Sequence, residues 1–129
     1  MMQTRKLPDT CTVLAPDGSE IRELVAVQGG SLVHCRLPPG ATSEAVAHAT
    51  VEEVWYVIEG RGQVWRAHGT AESVVDVSPG AALSIETGCR FQFRNTGDGD
   101  LCLLIVTMPP WPGAHEARPA PGRWPATSG

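Results

Sequence analysis

The chain has 129 residues, 42% of them hydrophobic, and a formal net charge of −4 at pH 7. That length suits one domain with its own core, and no run approaches the ~18 consecutive apolar residues of a membrane span. The basic residues are scattered, which argues against nucleic acid and anionic membranes as partners, and the opening MMQTRKLPDT lacks the apolar segment of a signal peptide, so a cytoplasmic protein is expected.

Short apolar segments separated by Gly, Pro, Asp and Asn recur along the chain, the pattern of an all-β sandwich or barrel. The first runs from Cys11 to Leu14 and ends in the turn Pro16-Asp17-Gly18; Ile21 to Val27 follows and breaks at Gly29-Gly30. In Ser31 to Leu37, period-two alternation puts Val33, Cys35 and Leu37 on one face and Leu32, His34 and Arg36 on the other. His34 is therefore expected at solvent or at an interface. Ala41 to Ala47 shows little amphipathic pattern before His48 is reached. Glu53 to Glu59 alternates again, with Glu53, Trp55 and Val57 on one face and Val54, Tyr56 and Ile58 on the other. Gln63 to Arg66, Ser73 to Val77, Ala82 to Ile85 and Phe91 to Asn95 are further predicted strands, the last with Phe91, Phe93 and Asn95 on one face. Thr96-Gly97-Asp98-Gly99 signals a hairpin turn, and Leu101 to Thr107 is apolar on both faces. Strands that are apolar on both sides exceed what one small barrel buries, so a homodimer through an outer face is expected.

From Pro109 to Gly129 the composition becomes Pro- and Trp-rich, an extension set apart from a barrel domain over residues 1–108 with its core at 31–107. The prolines exclude a helix or an inner strand. Two readings stand, a loosely ordered tail and an extended arm whose Trp111 and Trp124 dock. Cys11, Cys35, Cys89 and Cys102 form no CxxC pair, and without an export signal a disulfide framework is not expected; they read as small buried hydrophobes.

Two sets of spacings concern the site. Gly40, Glu53 and Gly60 mark out the first, and Gly80, Gly88 and Asn95 the second. In these the chain resembles the cupins, whose motifs read G-x5-H-x-H-x3-4-E-x6-G and G-x5-P-x-G-x2-H-x3-N. The resemblance covers roughly residues 31 to 107 and implies a small antiparallel β-barrel of two packed sheets, the double-stranded β-helix or jelly roll. It also implies one divalent metal, such as Zn, Fe, Mn or Ni, held by two histidines and a glutamate of the first motif and a histidine of the second.

Carried over residue by residue, that ligand set is short. Glu53 matches the glutamate by its distance to Gly60, while the histidine positions, counted back at the shorter spacing, fall on Ala47 and Ala49 around His48. Aligning the first histidine on His48 puts the second at Thr50. Glu86 stands at the proline position and Phe91 at the second-motif histidine, where it cannot bind a metal. His48 and Glu53 remain as the candidate catalytic pair and the candidate metal ligands, with Thr50, Glu52 and Cys89 as minor additions. Strand parity sets His48 and Glu53 on opposite faces unless the chain bulges between them. Two ligands hold a metal weakly, since catalytic zinc sites use about three; a desolvated carboxylate beside a histidine can instead act as a metal-free acid–base pair. Trp55, Phe91 and Phe93 are the candidate substrate contacts, with core packing as the competing reading. The expected function is binding of a small polar organic molecule inside the barrel, with isomerase, epimerase or cyclase chemistry. A non-catalytic binding or structural dimer and a metal-dependent dioxygenase are the alternatives.

Overall fold

The computed structural model describes residues 2–127. Its strands are β1 (Val13–Leu14), β2 (Glu20–Val27), β3 (Gly30–Leu37), β4 (Val46–His48), β5 (Glu52–Glu59), β6 (Gly62–His68), β7 (Ala71–Val77), β8 (Ala82–Ile85), β9 (Arg90–Asn95), β10 (Leu101–Met108) and β11 (Ala117–Pro119), with one 3-10 turn, η1, at Ala114–Glu116. They form a six-stranded sheet, β1-β2-β3-β10-β5-β8, and a five-stranded sheet, β11-β4-β9-β6-β7, antiparallel throughout. The all-β expectation holds.

Alternation along each strand sets the core. Trp55 and Val57 of β5, Leu103 and Ile105 of β10, Val64 of β6 and Phe91 and Phe93 of β9 are buried between the sheets in one apolar cluster. On the outer face of the six-stranded sheet, Val54, Tyr56 and Ile58 are exposed. Register fixes this partition, because Leu104 lies opposite Tyr56 and His34 while Ile105 lies opposite Trp55 and Val33. A shift of one residue would turn every core side chain outward. Gly60 closes the β5–β6 turn at φ +84°, and a Cβ there would collide with the Asp100 carbonyl, so the turn admits only glycine.

Two sequence expectations need correction, and one open choice is decided. His34 does point to the outer face, yet it is buried, with Nδ1 unpartnered. Its cross-strand neighbour Arg22 donates to the carbonyls of Pro8 and Asp9, which draws the N-terminal segment against that part of the sheet. The stretch before His48 contains a strand, β4, too short for its alternation to register in the sequence. Of the two readings of the extension, the docked arm is the one found over residues 109–127. β11 pairs with the edge of β4, and the Glu116 carboxylate accepts from the backbone N–H groups of Thr50 and Val51 and from the Thr50 hydroxyl. Trp124 exchanges hydrogen bonds with the Gln92 side chain and lies under the Arg94 guanidinium, 4.2 Å from ring centre to carbon. The prolines confine this arm to an edge, as their missing N–H groups require.

Candidate functional site

At one end of the sandwich the sheets part, and a cavity of about 410 Å³ opens between them. Its walls come from β1 and β2 on one side, β4 and β11 on the other, and the arm around Trp111. A volume of this size suits a small organic molecule.

His48 and Glu53 both line this cavity and both are buried. The parity argument against their convergence fails because the chain changes sheets between them. His48 ends β4 in the five-stranded sheet, Glu53 lies in β5 of the six-stranded sheet, and Ala49 to Val51 cross from one to the other. Each residue then faces inward from its own sheet, without a bulge.

Glu53 is held by a single direct partner among the described residues, the Trp55 indole N–H, which donates to Oε1 at 2.9 Å. Burial raises its pKa to about 7; the Trp55 hydrogen bond opposes the rise, and the neighbouring Asp17 carboxyl adds to it. No arginine partners Glu53 among the described residues. His48 is pushed the other way, to about 4, by burial, against the pull of Glu116. Its Nδ1 is buried without a hydrogen-bond partner among the described residues. The imidazole sits edge-on to Phe91 and to Trp111, with ring centres 5.1 Å apart in both pairs. Near neutral pH the cavity is thus lined by an uncharged imidazole and by a carboxyl group poised close to half-ionisation.

Of the aromatic candidates, Phe91 lines the cavity. Trp55 and Phe93 share its face but lie behind it, Trp55 edge-on to both phenyl rings at 5.5 and 5.1 Å. Two residues along a strand is about 7 Å, enough to carry a side chain from the cavity into the core. Substrate contact through Trp55 and Phe93 is therefore replaced by packing, with Trp55 reaching the site through its bond to Glu53. Thr50 and Glu52 do not line the cavity, and Cys89 packs in the core cluster and borders a separate depression with Arg66 and Glu86.

Several cavity residues were not singled out from sequence. Asp17 looks like a turn residue, but its carboxylate turns inward and accepts from the Ser19 N–H at 2.9 Å and the Ser19 hydroxyl at 2.6 Å. Its pKa is raised, burial outweighing those bonds. Thr107 and Ser31 pair through their hydroxyls, and Trp111 closes over His48. The one sequence signal for Asp17 is its spacing to Ser19, the two-residue step of an Asx-turn.

A cupin domain family model matches residues 33–107. An uncharacterized protein of Methanocaldococcus jannaschii is 31% identical over 108 residues, covering 80% of this chain and 82% of its own. Among solved structures, the Drosophila melanogaster CENP-C cupin domain superposes with a TM-score of 0.69 at 17% identity, covering 81% of this chain and 74% of that one. A predicted oxalate decarboxylase of Thermotoga maritima gives 0.66 at 21%, covering 83% and 98%. The chain belongs to the cupin family.

Membership brings the question of a metal, and β4 answers it from its phase. The inward residues are Val46 and His48, not Ala47 and Ala49. The first-motif histidine positions are therefore Val46 and His48, with the longer spacing to Glu53. Two of the four ligand positions keep a donor and two, Val46 and Phe91, are apolar. Among the described residues no group of three or more His, Cys, Asp and Glu side chains converges to hold a metal ion. The donor set does not fit a resident metal.

Proposed function

We propose that the protein binds a small organic molecule in the barrel cavity and exchanges a proton with it through Glu53, as an isomerase, epimerase or cyclase would. One observation carries the reading: a carboxyl group with its pKa near 7 lines a partly open, mostly apolar cavity. A general acid–base group works best with its pKa near the working pH. The Trp55 indole fixes one carboxyl oxygen and leaves the other for the ligand. Neutral His48 supplies a hydrogen bond to a polar atom of that ligand, and Phe91 and Trp111 flank it. A fragment screen by thermal shift, followed by deuterium exchange into each bound compound with the protein and Glu53→Gln, tests this. Exchange by the unaltered protein alone supports proton transfer. Binding without exchange reduces the function to ligand capture, and absence of any cavity ligand removes the proposal.

We also propose a homodimer through the outer face of the six-stranded sheet, where Val54, Tyr56 and Ile58 are exposed beside half-buried Leu32, Leu104 and Val106. This row carries no charge along its centre, and a second copy would present the same row to it. Sedimentation at micromolar concentration should give a dimer that Tyr56→Arg dissociates; a monomer in the unaltered protein rejects the proposal.

A further inference from the structure

The titratable groups around the cavity share one sign. Asp17 lines it from the loop after β1, Glu23 from β2 and Glu53 from β5, while its lining residues include neither lysine nor arginine. His48 of β4 is the one basic side chain there, and its ring is neutral at neutral pH. Cys35 of β3 lies close by, its thiol kept protonated by burial and by the two carboxyls. Glu116 of η1 spends its charge on the Thr50 and Val51 N–H groups. β9, β10 and β11 present Phe91, Ile105, Thr107 and Ala117 to the cavity.

Buried carboxylates are ordinarily matched by a cation or neutralised by a proton. Among the described residues Asp17 and Glu53 have no cationic partner, and each raises the pKa of a neighbour they share, Cys35. His48, 4% exposed, adds a buried nitrogen without a partner on the same cavity. The His48 ring meets Phe91 and Trp111 edge to face there, so aromatic side chains form part of the cavity wall.

Building on the proposed pocket, we infer that its ligand is an organic amine, an ammonium group on an apolar body, bound by the Glu53 carboxylate against the aromatic wall. The same site turns away carboxylates and phosphates, which would meet Asp17, Glu23 and Glu53 with no compensating cation. Ammonium binding favours the ionised carboxylate, so it displaces the Glu53 proton. Affinity then rises with pH through Glu53 ionisation, since the amine remains protonated over that range.

Three probes of one shape and three charges test the inference: 2-phenylethylamine, 2-phenylethanol and phenylacetate, titrated calorimetrically into the full chain at pH 5.5 and pH 8. The amine should bind at least about tenfold tighter than the alcohol at pH 8, lose most of that margin at pH 5.5, and release a proton as it binds. Phenylacetate should be the weakest. Glu53→Gln should abolish the margin and the proton release. Should that variant misfold, the pH dependence and proton release of the unaltered protein decide alone. Equal or better binding of the alcohol or the carboxylate overturns the amine assignment and leaves the pocket reading standing. If none of the three binds but the fragment screen yields uncharged or anionic ligands, the assignment alone falls. If neither experiment yields a ligand, the pocket reading falls with it.

Discussion

Val46 and Phe91 face each other directly across β4 and β9, and they occupy the two positions that the cupin motifs give to histidine and that carry hydrocarbon here. The two are adjacent in space although 45 positions separate them in sequence. Together they wall off the side of the site that His48 and Glu53 do not furnish.

Histidine at that pair of positions should create a metal site. Phe91→His brings the donors to three and should raise zinc or nickel affinity at least about tenfold, roughly 1.4 kcal/mol. Val46→His with Phe91→His brings them to four and should gain more. Removing a buried phenyl weakens packing, so circular dichroism must first confirm the fold. Calorimetry that finds no gain in a folded double variant would mean that the four positions do not converge.

Glu53 should make the protein less stable as pH rises. Its pKa is about 7 folded and near 4.5 as an ordinary glutamate. Between those values the folded state holds a proton that the unfolded state has lost, so stability falls across the window and is level above it. Glu53→Gln has no such loss. Its advantage over the unaltered protein should therefore grow from pH 4.5 to pH 7 by up to roughly 3 kcal/mol. Urea denaturation of both proteins at pH 4.5, 6 and 8 measures the gap; a constant difference would show that the carboxyl is not desolvated.

His48 acts in the opposite direction. With its folded pKa near 4 against an ordinary 6.5, the unfolded chain takes the proton first on acidification. The stabilisation is complete above pH 6.5 and is lost as pH falls towards 4. NMR should find the His48 ring neutral at pH 5.5. A titration midpoint above 6 would place the ring in water.

Glu116 should govern the arm. Glu116→Ala leaves the Thr50 and Val51 N–H groups without their carboxylate and should cost about 2 kcal/mol. Trp111, two residues before Gly113 and η1, should loosen from His48 and become accessible to acrylamide quenching. Unchanged quenching with unchanged melting temperature would show that β11 pairing alone holds the segment.

Where strands were long, the fold was legible. Glu53 to Glu59 alternates over enough residues to separate its two faces, and the register shows which lies inside; Leu101 to Thr107, apolar on both faces, reads as a strand but not as to which face is inner. Three-residue strands such as β4 and β11 show no period, yet counting forward from Gly40 with the longer gap to Glu53 places His48 at a histidine position; counting back at the shorter gap missed it. Parity counting also assumes one continuous sheet, and the crossing at Ala49 to Val51 breaks that assumption. Asp17 was hidden for a different reason. A Pro-Asp-Gly turn normally faces solvent, and only the opposite sheet and arm enclose this one.

The thiols bear on how this protein can be studied. Cys35, Cys89 and Cys102 are buried with pKa values pushed up, Cys102 to about 11, so few thiolates form on them at neutral pH. Cys11 is partly open and stands two residues before Val13, at the cavity's rim. The native chain thus offers a single addressable handle beside the entrance. An environment-sensitive dye attached there would report a guest's arrival without any engineered residue.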